Sequence, residues 1–373
     1  MSDLEEALCQ KLKAPMVKTC ASGSDALWLA LVASGIGVGD EVVLPPVTSA
    51  ASLQSILRIG ATPVFADVNS ETWTLDLESV ENVLSEKTRA LIAVNIAGVP
   101  AELIDFFGLC QARKILLIED NTQGLGSQIE WHSTNQYCHL STLSFFPTKN
   151  LGGIGDGGAL VVGHDFIKIC QQRLLAELTS EEKKADSFGE KLNLKRPIDW
   201  VREYLDTLCN QGINSKGELV YQGLNSRLDT IQAQALIQFL PQLKNERNLR
   251  LSWRSKFEDY FEALGDDKIR FRLQRVSEGV DVYWSLMAVW VDRGRDELIQ
   301  FLNKKGVGAR VYYSPALHHQ KLWQSRSNSK LQLEVAEKLV EGWFFLPFHA
   351  HLKEAEFELI CELILEWRDT YVK

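Results

Sequence analysis

Lys149 lies in the run Ser144-Phe145-Phe146-Pro147-Thr148-Lys149-Asn150, just before a cluster of glycines. A lysine in an apolar, glycine-flanked turn is a candidate for a depressed pKa, and so for a nucleophile toward a carbonyl carbon. In isolation it also reads as an ordinary surface lysine. A second group is Ile115-Leu116-Leu117-Ile118-Glu119-Asp120, an apolar run closing on two acids, with Gln123 three residues further on. Ligands of open α/β sheets bind at the C-terminal ends of parallel strands, where a carboxylate can pair with a protonated ring nitrogen. The plain alternative is a solvated acidic strand end.

Two more segments have polar residues at helix starts. Ala21-Ser22-Gly23-Ser24-Asp25-Ala26-Leu27 opens the first long helix with small residues. Such a start offers unpaired N–H groups and a positive dipole end, which suit a phosphate. Ser22 or Ser24 acting as a simple cap explains the same residues. Gly223-Leu224-Asn225-Ser226-Arg227-Leu228 precedes another helix, and its Asn225 and Arg227 are either helix-opening polar residues or ligands for an anion. The run Gly153-Ile154-Gly155-Asp156-Gly157-Gly158 has the spacing of a dinucleotide fingerprint, but that motif must lead into a helix. Here the apolar residues Ala159-Leu160-Val161-Val162 follow, so the glycines read as a tight turn entering a strand.

The elements that must position these groups alternate through the first half. Short apolar or β-branched runs fall at Glu41–Pro45, Thr62–Val68, Ala90–Ile96, Ile115–Glu119, Thr142–Phe146 and Gly158–Val162. Helix-period segments lie between most of them, at Ser24–Ser34, Ala50–Leu57, Leu77–Val83 and Ala101–Ala112. This alternation predicts an α/β fold with a mainly parallel sheet and helices on both faces. From about Phe166 to Glu218 the strand pattern gives way to charged helical or loop sequence, including LTSEEKKADSFGEK. Leu228–Leu240 reads as an amphipathic helix stopped by Pro241. Beyond it come a strand at Val282–Val291 and helices near Asp296–Lys305, Leu331–Trp343 and Ala355–Trp367. The parse is a large α/β domain over 1–240 and a smaller α+β domain over 241–373.

Composition narrows the class. The 373 residues are 45% hydrophobic and 24% charged, an ordinary globular balance that excludes disordered and collagen-like chains. A net charge of −9 argues against a phosphate-backbone binder, so no nucleic-acid partner is expected. No apolar run is long enough to span a bilayer, and the opening MSDLEEAL lacks the segments of a signal peptide. The expectation is a cytoplasmic protein without a membrane partner. Cysteines at 9, 20, 110, 138, 170, 209 and 361 show no C-x-x-C pair, so reduced, buried thiols and no metal site are expected.

Taken in order, these segments resemble the DegT/StrS-type sugar aminotransferases, fold-type-I enzymes that use pyridoxal phosphate. The likeness runs from about residue 4 to the C-terminus. It includes Gly37–Pro45 (GVGDEVVLP), Gly60–Val68 (GATPVFADV), Glu119-Asp120 with Gln123, Ser144–Leu151 with Gly155–Gly158, and Gly223–Asp229. The resemblance implies a seven-stranded sheet and a homodimer with shared active sites. By the same likeness, Lys149 holds the cofactor and moves the proton between substrate and ring. Asp120 keeps the pyridine nitrogen protonated, and Gln123 bonds the phenolic oxygen. Gly23, Ser24, Asp25 and Ser144 hold the phosphate, and Asn225 reaches the phosphate of the partner subunit. Arg227, Tyr313 and His318 face the substrate.

The implied reaction carries an amino group from glutamate or glutamine to a keto-sugar, most simply a nucleotide-linked keto-deoxysugar. Lysine at 149 separates the chain from the family's dehydratase branch, which has histidine there. Three departures bear on the substrate. Ser49 stands where an aromatic residue usually stacks on the ring, and Asn95-Ile96-Ala97-Gly98 replaces the common His-Leu-Tyr-Gly. The chain also begins late against the family pattern, without the first turn-and-helix segment. Two further readings fit these departures: an aminotransferase for a free cyclitol ketone, and a relative that binds cofactor or sugar without catalysis.

Overall fold

The computed structural model describes residues 1–177, 197–265, 269–325 and 331–371. Seven strands build the main sheet: β1 (Met16–Cys20), β2 (Glu41–Leu44), β3 (Thr62–Phe65), β4 (Thr88–Val94), β5 (Leu116–Asp120), β6 (Leu140–Ser144) and β7 (Gly158–Val162). Their spatial order is β1-β7-β6-β5-β4-β2-β3. Only β7 runs antiparallel to its neighbours, β1 and β6; every other pairing in this sheet is parallel. β5 and β7 are buried at every position, as strands covered on both faces must be. The covering helices include α1 (Ser2–Leu12), α2 (Gly23–Ala33), α3 (Ala50–Arg58), α4 (Leu77–Val83) and α5 (Leu103–Arg113). The chain then continues through α6 (His164–Glu177), α7 (Pro197–Cys209) and α8 (Thr230–Phe239).

Pro241 ends the helical run as expected. Leu240–Gln242 form a 3-10 turn, and α9 (Leu243–Leu264) leads to the last third. There β8 (Phe271–Leu273), β9 (Met287–Val291) and β10 (Trp343–Leu346) form an antiparallel sheet in the order β8-β9-β10. α9, α10 (Arg295–Lys304) and α12 (Glu354–Tyr371) contribute to its own apolar core around Phe257, Leu298, Phe344 and Trp367, and α11 (Glu334–Gly342) precedes β10.

Three expectations shift. β1 was not among the anticipated strands. The helix expected through Trp343 ends at Gly342, because the run from Trp343 pairs with β9. The strand expected from Val282 starts only at Met287. Its earlier half is drawn away by the large sheet's loops: Tyr283 N–H donates to Ser127 Oγ at 2.8 Å and Ser285 N–H to the Ala97 carbonyl at 3.0 Å. A Cβ on Gly98 would lie 2.2 Å from the Tyr283 carbonyl, so this close approach requires glycine there.

The charged run at 178–191 lies outside the described residues. All seven cysteines are free thiols, five of them buried and Cys9 and Cys361 partly so. Among the described residues, no helix is long and apolar enough to cross a membrane.

Candidate active site

Parallel strands align their C-terminal ends, and the register places Asp120 opposite Thr142 while Ser144 and Cys20 both flank Gly158. The loops leaving β1, β4, β5 and β6 therefore meet at one edge, and most of the candidate residues sit on them.

The first loop turns into α2. Ser22, rather than Ser24, is the cap: its Oγ accepts the Asp25 N–H at 3.1 Å. The N–H groups of Gly23 and Ser24 have no partner within the helix, which leaves them for an anion. Ser144 closes over this start. A Cβ on Gly23 would lie 2.9 Å from the Ser144 Cβ, so glycine here keeps the cradle open. Asp25 behaves differently from the expectation. Its N–H goes to the cap, and its carboxylate accepts the Ser226 hydroxyl at 2.7 Å and pairs with Arg58 at 3.7 Å. It anchors a neighbouring segment and has no donor left for the cradle.

Neighbouring residues on a strand face opposite sides, and the two acids separate accordingly. Glu119 is fully buried, and Asn95 Nδ2 donates to its Oε1 at 2.7 Å. Burial raises its pKa, against the opposing effect of polar neighbours including Asn95. Asn95, which replaces the family histidine, also donates to Asn121 Oδ1 and accepts the Ala101 N–H. Its side chain is thus committed to this interior network. Asp120, 2% exposed, has one oxygen held by Thr122 Oγ1 at 2.7 Å and the other by Ser52 Oγ at 3.1 Å. Neither Ser52 nor Thr122 was singled out in the sequence.

Gln123 spans the edge. Its Oε1 accepts the Ala97 N–H at 3.1 Å, and its Nε2 donates to the Tyr313 hydroxyl at 3.3 Å. The structure thus brings Tyr313, which is 190 residues away, to the site. Burial pushes the Tyr313 hydroxyl well up, with Asp120 adding to the effect.

Lys149 lies in the turn after β6. Asn150, another residue sequence reasoning missed, pins that turn by donating to the carbonyls of Leu125 at 3.0 Å, Gln123 at 3.3 Å and Tyr283 at 3.4 Å. Burial lowers the Lys149 pKa and the charge of Asp120 acts against it, so the two side chains sense each other. Lowering favours the neutral amine that a nucleophile needs. The glycine turn is as expected: β7 begins at Gly158, where a Cβ would lie 2.4 Å from the Ser22 carbonyl.

Three candidates lie apart. Asn225 and Arg227 are exposed and hydrogen-bond each other, and Arg227 lines a cleft with Lys18 and Asp206 rather than the one beside Lys149. His318 is 4% exposed, with its Nε2 3.2 Å from Glu337 and its ring 6.0 Å from that of Phe65. Burial lowers its pKa, with Glu337 opposing. Beside the lysine turn a cleft of about 770 Å³ is lined by Lys149, Glu246, Arg250, Arg310, Tyr312 and His349, among others.

The donor set fits pyridoxal phosphate: an anion cradle at a helix start, a buried carboxylate for the ring nitrogen, and a lysine biased toward its neutral form. Comparison with known proteins agrees. The DegT/DnrJ/EryC1/StrS aminotransferase family matches residues 1–365. A pleiotropic regulatory protein of Geobacillus stearothermophilus is 31% identical, with 93% of this chain and 84% of the relative covered. UDP-N-acetyl-3-dehydro-alpha-D-glucosamine 3-aminotransferase of Acidithiobacillus ferrooxidans is 29% identical, over 92% and 82% of the two chains. The X-ray structure of S. venezuelae DesV in complex with a ketimine intermediate superposes with a TM-score of 0.83 at 27% identity, covering 99% of this chain and 89% of that one. The chain therefore belongs to the DegT/DnrJ/EryC1/StrS aminotransferase family and is a pyridoxal-phosphate-dependent aminotransferase.

Proposed function

We propose that this aminotransferase carries an amino group from glutamate or glutamine to a nucleotide-linked keto-deoxysugar, in the cytoplasm, as a homodimer with shared active sites. The observation that carries the reading is the lowered Lys149 pKa beside Asp120 at the buried strand-end edge. The relative that acts on a UDP-linked keto-sugar supports the acceptor class.

When bound, pyridoxal phosphate supplies an electron-withdrawing ring that stabilises charge at the donor's Cα. Lys149 would hold the cofactor and would be the group that carries a proton at the substrate's Cα. Asp120 would pair with the ring nitrogen and keep it protonated. Gln123, held by Ala97 and Tyr313, presents its amide to the ring oxygen. Gly23, Ser24 and Ser144 bind the phosphate, and Asp25 steadies the segment beside it. Asn225 and Arg227 reach into the partner's site, toward phosphate and substrate respectively. Tyr313 borders the sugar, and His318 fixes its turn through Glu337. Residues 1–240 form the cofactor domain and 241–373 the smaller one. Phe146, Ile154, Leu219 and Ile231 are apolar and exposed, which supports the dimer reading.

The test is a half-reaction. Glutamate or glutamine added to purified protein is expected to bleach the cofactor's visible band. A keto-sugar nucleotide should restore it, and a nucleoside diphosphate should compete. Restoration by a free cyclitol ketone, unaffected by nucleoside diphosphates, would replace the acceptor class. A band that no amino donor changes would leave a binding protein without catalysis.

A further inference from the structure

We propose that Ser52 and Thr122 are positioning residues that clamp the Asp120 carboxylate, fixing the face it turns to the cofactor's ring nitrogen. The proposal rests on the reading of Asp120 as the partner of that nitrogen.

The two hydroxyls come from different elements and bind different oxygens. Ser52, on the first turn of α3, donates to Oδ2 at 3.1 Å across a separation of 68 residues. Thr122, in the turn after β5, donates to Oδ1 at 2.7 Å, and its own N–H approaches the same oxygen at 3.3 Å. A carboxylate with donors on both oxygens cannot rotate without breaking one of them. An ionised carboxylate has about four acceptor positions, so a further position remains for a ring N–H.

The Ser52 hydroxyl is itself aligned. Its Oγ lies 3.4 Å from the Thr48 Oγ1, and both residues are buried. Ser52 has one proton, and Asp120 takes it. Thr48 must then be the donor in the second contact, which gives a directed chain from Thr48 through Ser52 to Asp120. The start of α3 is set by Ser49, whose Oγ accepts the Ala51 N–H at 3.2 Å. The residue in the usual stacking position therefore caps the helix turn that delivers Ser52.

The experiment loads the protein with pyridoxal phosphate labelled with ¹⁵N in the ring and reads the nitrogen chemical shift against pH, together with the cofactor dissociation constant. Ser52→Ala and Thr122→Val are each expected to move the signal toward the unprotonated position and to weaken cofactor binding by about tenfold. Thr122→Ser, which keeps the hydroxyl, should restore the wild-type signal. If Ser52→Ala does not fold, the Thr122→Val and Thr122→Ser pair decides. A wild-type signal and affinity in either alanine or valine variant overturns the proposal for that residue. Asp120→Asn is the control, and an unchanged signal there overturns the reading of Asp120 itself.

Discussion

The lysine turn and the segment around Asn225 are both polar, and the structure treats them in opposite ways. In the lysine turn, Asn150 is buried and ties three carbonyls, while burial shifts Lys149 toward its neutral form. In the other segment Ser226 is the one buried polar side chain, with Leu228 buried beyond it. Ser226 is fixed between the Ala21 N–H and Asp25, while Asn225 and Arg227 stay exposed and bond each other. The lysine turn is held by contacts within one chain. The exposed region is anchored at Ser226, and on the proposed reading Asn225 and Arg227 act on a second copy.

The comparison breaks most sharply at Lys149. Lys149→Ala and Lys149→Arg should each lower turnover by more than about 10³-fold, since either change removes the amine that would hold the cofactor and carry the proton. Transamination near the wild-type rate in either variant would remove Lys149 from the mechanism. The exposed segment gives the next largest effect. Lys149→Ala and an Asn225→Ala, Arg227→Ala double variant should each be nearly inactive alone. Refolded together in equal amounts they should recover about a quarter of wild-type activity, because mixed dimers hold one intact site. No recovery would place Asn225 and Arg227 in their own chain's site.

The same contrast explains what the sequence revealed. β5 and β7 were legible because strands covered on both faces read as unbroken apolar runs. β1, Met-Val-Lys-Thr-Cys, was not, because Lys18 interrupts the run; its ammonium instead pairs with Asp206 and Glu5. The aromatic run from Trp343 continued a helical pattern until pairing with β9 decided it. Lys149, Asp120 and Gln123 were visible through local context and family likeness. Ser52, Thr122 and Asn150 were not, because their roles depend on what tertiary contacts bring near. Ser52 bonds across 68 residues, and Asn150 reaches Tyr283 across 133.

A smaller effect tests burial itself. The Lys149 pKa is lowered in the folded protein from 10.5, chiefly by burial. Between the folded value and 10.5 the unfolded chain binds more protons, so stability contributed by this group rises with pH across that window. Below the window both states are charged and the full cost of burying the ammonium is felt. Cofactor-free Lys149→Met should therefore melt above wild type near neutral pH, with the gap closing as pH approaches 10.5. Arg227→Met, at an exposed site, should show no such convergence. A gap that stays constant with pH would mean the lysine is solvated.

The smallest expected effect lies at Ser49, where two modest contributions oppose each other. An aromatic ring stacked on the cofactor adds about 0.5–1.5 kcal/mol beyond its buried area. Removing the Ser49 cap, whose Oγ accepts the Ala51 N–H at 3.2 Å, takes away about 1 kcal/mol of helix stability. The two act on different observables. Ser49→Phe should tighten cofactor binding by less than about tenfold. It should also lower the melting point of the cofactor-free protein by about 1 °C. The loss of the cap loosens the turn carrying Ser52, so the gain in binding should fall short of the full stacking value. Tighter binding with an unchanged melting point would mean that Ser49 contributes little to α3. A lower melting point with unchanged affinity would mean that residue 49 does not overlie the ring.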